Sequence, residues 1–346
     1  MGFRVRMYGL MKSFFAAFIG FVAMWGGLFG AVVPKGLKPG DGIAIVFPAS
    51  FPEESEAVIG EAANKLRKKG FKVKIAGNSR LRHGYLSGTD KQRASALMAA
   101  FKDPEIKAIW CYRGGYGCPR MLDRLDYKVI KENPKILIGM SDITALHAAV
   151  GKEAGVVTFL GPNVKDIFGP DRKKEVSYSE TELWRGVMAM TYPKKGYLIP
   201  AKDGKPLKSG LGKGELAGGN LSLVVSLIGT PWEIDTKGKI LVLEEVNEPP
   251  YKIDRMLNQL KLSGHLDDPA GVILASWKGC QTKAPESSLS LNQVFEEYFG
   301  DKTYPVLVGF PSGHIEDQTT LPLGAQAELN STQKTLRILE DPVTGL

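Results

Sequence analysis

The chain has 346 residues, of which 43% are hydrophobic and 24% charged, and its formal charge is +8. This composition excludes a disordered or fibrous chain and a polytopic membrane protein, and the length suffices for about two domains with cores of their own. Three of the positive charges, Arg4, Arg6 and Lys12, stand in the first 34 residues. The remaining excess of +5 is spread over short runs separated by acids, so no nucleic-acid partner is expected.

From Ser13 to Pro34 no residue is charged. A basic stretch followed by an apolar run is the design of an export signal or a single-span anchor, because roughly 20 apolar residues cross a bilayer. Residues 1–34 are therefore read as a signal peptide or anchor making a single N-terminal membrane contact, with Gly30-Ala31 as a tolerable cleavage region. A periplasmic or cell-envelope location follows, with the cytoplasm as the alternative.

Beyond the turn Lys38-Pro39-Gly40-Asp41, the run Ile43 to Phe47 reads as a buried parallel strand. Val58, Ile59, Ala62, Ala63 and Leu66 mark one face of a helix over 53–69. Phe71 to Ile75 alternates as a strand, and Thr89 or Asp90 caps a helix that stops at Asp103-Pro104. Strands follow at 106–111 and 135–138, the second running into a helix from Asp142. Strands and helices that alternate at this spacing predict an α/β fold, with an N-terminal parallel-sheet (Rossmann- or flavodoxin-like) domain over 38–165. Residues 166–205, rich in Lys, Gly, Pro and Tyr, read as a linker with one helical stretch around Leu183. A second α/β domain over 206–342 has apolar strands at 240–243, 272–275 and 306–308. Leu321 to Gly324 and Ala327 to Leu329 read as the strands or turns that finish it.

Gly139-Met140-Ser141 joins an apolar strand directly to a helix, as in a nucleophile elbow, where a serine hydroxyl is exposed on a tight turn and the next backbone N–H faces a developing oxyanion. Ile143 stands where the usual elbow has Gly, and a plain helix N-cap would also use a serine. Arg113-Gly114-Gly115-Tyr116-Gly117 follows another strand. Its glycines can bring N–H groups close to a ligand, but the spacing is not that of a dinucleotide site; a second oxyanion donor or a simple tight turn both fit. Of the four histidines, His83 stands in a polar loop, His147 on the helix after Ser141, and His265 ahead of Leu266-Asp267-Asp268. His314 sits in a Gly-bounded loop at a strand's end, the best place to offer an imidazole to a cleft. Glu244 and Glu245 end a buried strand, and either could orient it. Cys111, Cys118 and Cys280 have no metal-type spacing against a histidine, so no metal is expected. Cys111 and Cys118 pair only if the backbone brings them together.

Six blocks then occur together. They are Ala108 to Gly117, Ile138 to His147, Gly218-Gly219-Asn220-Leu221, Gly229-Thr230-Pro231-Trp232, Leu241 to Tyr251, and Gly313-His314 with Thr320 to Ala325. In this order they resemble the LD-carboxypeptidases, or muramoyl-tetrapeptide carboxypeptidases, over about residues 38–340. The resemblance implies a serine peptidase without cofactor, whose active site lies at the domain interface. It places the nucleophile on Ser141, the base on His314 and the orienting acid on Glu244, and so chooses between the two glutamates. Oxyanion donors fall on the N–H groups of Asp142 and of the Gly114-Gly115 turn, and Arg113 is a candidate by position for the substrate's free carboxylate. The implied substrate is a murein tetrapeptide or muropeptide, cut between meso-diaminopimelate and terminal D-Ala, and the implied assembly a homodimer. Many members work in the cytoplasm without a leader, from which this N-terminus departs. Alternatives are an immunity-type relative that cleaves peptide-nucleotide antibiotics, for which Trp232 and Trp277 are too little to claim a stacking loop, and a non-catalytic murein-peptide-binding protein.

Overall fold

The computed structural model describes residues 31–170, 177–189 and 196–345. Most of the expected leader, residues 1–30, lies outside the described residues. Its last residues are part of the fold. The Val32 N–H donates to the Gly155 carbonyl at 2.6 Å, and the Pro34 carbonyl accepts from the Thr344 N–H at 2.8 Å. The folded unit thus takes up the chain at Val32, ahead of the turn at Lys38. Among the described residues no helix is long and apolar enough to cross a membrane.

The first half alternates as its periodicities require: β1 (Gly42–Val46), α1 (Glu56–Lys68), β2 (Lys72–Ile75), α2 (Asp90–Lys102), β3 (Ile106–Cys111), α3 (Tyr127–Glu132), β4 (Ile136–Gly139), α4 (Thr144–Ala149) and β5 (Thr158–Leu160). Side chains start the helices: Ser55 accepts from the Val58 N–H, and Thr89 with Gln92 forms a capping box. β1 is buried along its whole length, whereas β2 is an exposed edge. The parallel strands lie in the order β5-β4-β3-β1-β2. Because β1 has β3 on one side and β2 on the other, the chain reverses direction across the sheet at β1/β3. The loops leaving those two strands therefore diverge and open a crevice at their carboxyl ends.

After α5 (Val164–Phe168) and α6 (Tyr178–Val187), the segment expected to be a linker supplies two strands, β6 (Tyr197–Pro200) and β7 (Lys205–Lys208). They belong to an eight-stranded sheet ordered β6-β14-β13-β8-β9-β10-β11-β7. Its centre is parallel: β8 (Leu211–Asn220), β9 (Ile240–Val246), β10 (Gly271–Lys278) and β11 (Val306–Val308). Helices α7 (Leu221–Ser226), α8 (Pro250–Leu262) and α9 (Leu291–Phe299) punctuate these strands. One strand departs from the expected division. β12 (Leu321–Leu323) leaves the second sheet and pairs antiparallel with β5, Leu321 opposite Leu160, before β13 (Gln326–Asn330) and β14 (Thr335–Ile338) return. A shared apolar core in which Met140, Leu160 and Leu321 meet Leu216, Val242, Ile273 and Phe310 packs the two sheets together. This core fixes the end of β4 against the second sheet.

Candidate active site

Ser141 follows β4 by two residues and has φ +66°, a left-handed conformation that costs a non-glycine residue on the order of 1–3 kcal/mol. The bend is possible because Gly139 lacks a side chain; a Cβ there would stand 2.8 Å from Ile143. The simple capping role is overturned. Ser141 caps neither the 3₁₀ turn it begins nor α4, and among the described residues its hydroxyl makes no hydrogen bond. What remains is a half-exposed hydroxyl held out on a strained strand-to-helix turn.

The glycine-rich loop after β3 lies against this hydroxyl. A Cβ on Gly114 would be 2.8 Å from the Ser141 Cβ and 3.1 Å from its Oγ, so only glycine allows the approach. Gly115, at φ +113°, packs on Ser50, whose Oγ accepts the Tyr116 N–H at 3.0 Å. Arg113 turns away to donate from Nη1 to the Phe51 carbonyl at 3.2 Å. Asp142 buries its carboxylate, which accepts the Cys118 N–H at 2.7 Å, and burial raises its pKa.

At the ends of the second sheet's strands, His314 donates from Nδ1 to Glu244 Oε2 at 2.6 Å. Glu244 lies on β9, two residues before its end, and is fully buried. Gly313 makes room: at φ +103°, its Cβ would sit 2.6 Å from Glu244 Oε2. Burial alone lowers the pKa of His314. The hydrogen bond and charge of Glu244, with Asp166 and Glu245 beyond it, outweigh that and leave it raised. Because Nδ1 carries the proton toward the carboxylate, Nε2 is the nitrogen free to act as a base. The two glutamates serve different ends. Glu245 accepts the Ser222 N–H and hydroxyl at the start of α7 and does not contact His314.

The remaining histidines are occupied elsewhere. His147 is buried and donates from Nε2 to the Gly139 carbonyl at 2.9 Å; burial lowers its pKa to about 4. His83 lies in an exposed turn. His265 contacts Ser263 (2.8 Å) and Glu233 (3.2 Å), but the Ser263 hydroxyl bonds the Gln259 carbonyl and closes α8. Cys111, Cys118 and Cys280 are free and buried.

Two residues that sequence reasoning did not single out hold the parts together. Asn220 donates from its backbone to Thr144 Oγ1 at 3.0 Å, and from Nδ2 to Glu244 (3.2 Å) and Glu245 (2.9 Å). It thus links the helix behind Ser141 to the acid behind His314. Its signal was an asparagine just ahead of an apolar run, and it does cap α7. Arg93 is buried and donates to the Gly117 carbonyl at 2.7 Å. A charge on the inward face of a predicted helix was its signal. Beside His314, a cavity of about 360 Å³ is lined in part by Met140, Asp166, Lys278 and Glu316.

Comparison with known proteins agrees with this architecture. Family models match residues 43–161 as an LD-carboxypeptidase N-terminal domain and 213–329 as the corresponding C-terminal domain. A probable murein peptide carboxypeptidase of Bacillus subtilis is 40% identical over 302 residues, 87% of this chain and 92% of that protein. A murein tetrapeptide carboxypeptidase of Pseudomonas aeruginosa is 31% identical, over 86% of this chain and 95% of its own. A solved structure of the microcin self-immunity protein MccF with aspartyl sulfamoyl adenosine superposes with a TM-score of 0.83 at 26% identity, covering 90% of this chain and 100% of that one. By sequence and by fold, this chain belongs to the LD-carboxypeptidase family.

Proposed function

We propose that this chain is a serine LD-carboxypeptidase that hydrolyses the meso-diaminopimelate–D-Ala bond of murein tetrapeptides. The observation that carries the reading is the 2.6 Å contact between His314 Nδ1 and the buried Glu244, in a fold that presents Ser141 on a strained elbow. Ser141 attacks the terminal peptide carbonyl, His314 takes the hydroxyl proton and delivers it to the departing amine of D-Ala, and Glu244 orients the imidazole. The N–H groups of Asp142 and of the Gly114-Gly115 turn receive the oxyanion. Water, deprotonated by His314, then releases the tripeptide. The Ser141 hydroxyl makes no hydrogen bond to His314, so the reading includes alignment of the pair on the substrate. The charge pattern of residues 1–34 supports action in the periplasm or cell envelope. A homodimer belongs to the same proposal and is tested by light scattering.

Likeness to MccF keeps cleavage of a peptide-nucleotide as the second reading. Against it, Trp277 is nearly buried with its ring 4.9 Å from Phe295 and offers no open face for a base, and Trp232, half-buried, packs one side on the first domain's core. Mass spectrometry of the full chain with murein tetrapeptide, beside Ser141→Ala, tests the proposal. Loss of one D-Ala by the wild type is expected, with kcat lower in the variant by on the order of 10⁴ to 10⁶. Equal activity in the variant refutes the serine mechanism. Hydrolysis of aspartyl sulfamoyl adenosine in place of tetrapeptide selects the second reading.

A further inference from the structure

A carboxypeptidase substrate ends in a carboxylate, and meso-diaminopimelate carries another on its side chain. Binding either in a partly desolvated cleft requires a cation that is not already neutralised. Arg113, the candidate by position, gives its Nη1 to the Phe51 carbonyl, and its charge acts on the neighbouring Glu54. Lys165 lines the cavity beside His314 but is ion-paired with Glu54. Lys278 lines the same cavity, and among the described residues its Nζ makes no hydrogen bond and no ion pair.

We infer that Lys278 is the residue that receives a substrate carboxylate, an inference that rests on the carboxypeptidase reading of this site. Its place follows from the sheet. Lys278 ends β10 and pairs in register with Val246, two residues beyond Glu244 on β9, so it emerges at the same edge as the acid that holds His314. The reaction demands this proximity. His314 must reach the departing amine of D-Ala, and the terminal carboxylate is attached to the carbon that bears that amine. The cavity also holds Met140, the neighbour of Ser141, and its remaining charges are acidic. Asp166 is engaged in the cap of α5 with Asn163, and Glu316 faces the same space. Acids beside a lone free cation suit a zwitterion, which describes the far end of a diaminopimelate side chain. The shared chemistry is a carboxylate on Lys278 Nζ; its source is the D-Ala terminus or that side chain.

Steady-state kinetics of the full chain distinguishes the sources with three peptides: the diaminopimelate tetrapeptide, its terminal D-Ala amide, and the tetrapeptide with L-Lys in third place. Lys278→Gln is expected to raise KM for the first peptide by about 10- to 100-fold with kcat within about threefold, and Lys278→Arg to restore most of the loss. If the D-Ala terminus is the partner, the substitution has no further effect on the amide; if the side chain is, it has none on the L-Lys peptide. An unchanged KM on all three peptides overturns the inference, as does an equal rise on all three, because Lys278 then recognises neither carboxylate. If the wild type hydrolyses none of them, the parent reading has failed, and calorimetric binding of the same peptides to wild type and Lys278→Gln judges Lys278 by the same criteria.

Discussion

Arg93 and Asp142 grip one peptide group from opposite sides. The Gly117 carbonyl accepts from Arg93 Nη1 at 2.7 Å, while the N–H of the same peptide, that of Cys118, donates to Asp142 Oδ2 at 2.7 Å. Both charges are buried, and Arg93 also reaches the Pro48 carbonyl after β1. Since Asp142 adjoins Ser141, the glycine-rich loop is tied to the elbow through this single peptide.

On the proposed mechanism, cutting the tie should misplace the N–H groups of the Gly114-Gly115 turn that receive the oxyanion. Asp142→Ala is expected to lower kcat by about 10²- to 10³-fold, the cost of losing one oxyanion donor, with a small change in KM. Asp142→Asn keeps an acceptor for the Cys118 N–H and should fall between the alanine variant and wild type. Thermal unfolding of both variants separates this from collapse of the fold. A folded Asp142→Ala enzyme with wild-type kcat would show that the clamp does not position the loop.

Strain at Ser141 predicts an ordering in stability of two variants that both lack its hydroxyl. Ser141→Ala keeps a Cβ at φ +66°, whereas Ser141→Gly removes it, so the glycine variant should be the more stable by about 1 kcal/mol. Chemical denaturation of the pair reads this directly. The reverse order would mean that the elbow is relaxed.

How much of this was legible in sequence depended on the range of the determining contact. The strand-turn-helix at Ser141 and the loop at His314 are local, and the alternation of apolar runs with helical faces was enough for the first sheet. Local pattern could not separate Glu244 from Glu245, because both directly follow the one apolar run Ile240 to Leu243. Their difference arises from partners 70 residues apart in one case and 23 in the other. β6 and β7 were hidden in a Lys- and Pro-rich stretch, since a short edge strand needs little apolar pattern. The pairing of β12 with β5 is set by the shared core, and nothing in Leu321-Pro322-Leu323 itself says which sheet it joins.

His147 should make the fold sensitive to acid. Its pKa falls from the ordinary 6.5 to about 4 because burial penalises the charged ring. The unfolded chain then binds more protons between those values, and stability is lost as pH drops through that window. From pH 7 to pH 5 this one group accounts for up to about 2 kcal/mol. His147→Met should be slightly less stable at pH 7, by about 1 kcal/mol for the lost bond to Gly139, yet lose less on acidification. Urea melts at both pH values test this; equal acid losses in the two proteins would locate the sensitivity elsewhere.

On the proposed mechanism, the pair His314–Glu244 should set the lower edge of activity. A base must be neutral, and the raised pKa of His314 means that kcat/KM should climb with pH through a value above that of a free imidazole. Glu244→Gln preserves the possibility of a hydrogen bond but removes the charge, so the acidic limb should move to lower pH while the plateau falls, because the imidazolium formed during attack has lost its counter-charge. The same shift appears in stability with the opposite slope to that of His147. A raised folded-state pKa gives stabilisation that is complete below the unfolded value of about 6.5 and is lost as pH rises through the folded one. Wild type should therefore gain more over Glu244→Gln at pH 6 than at pH 9. A limb that stays in place in Glu244→Gln, with unaltered dependence of stability on pH, would dissociate Glu244 from the protonation of His314.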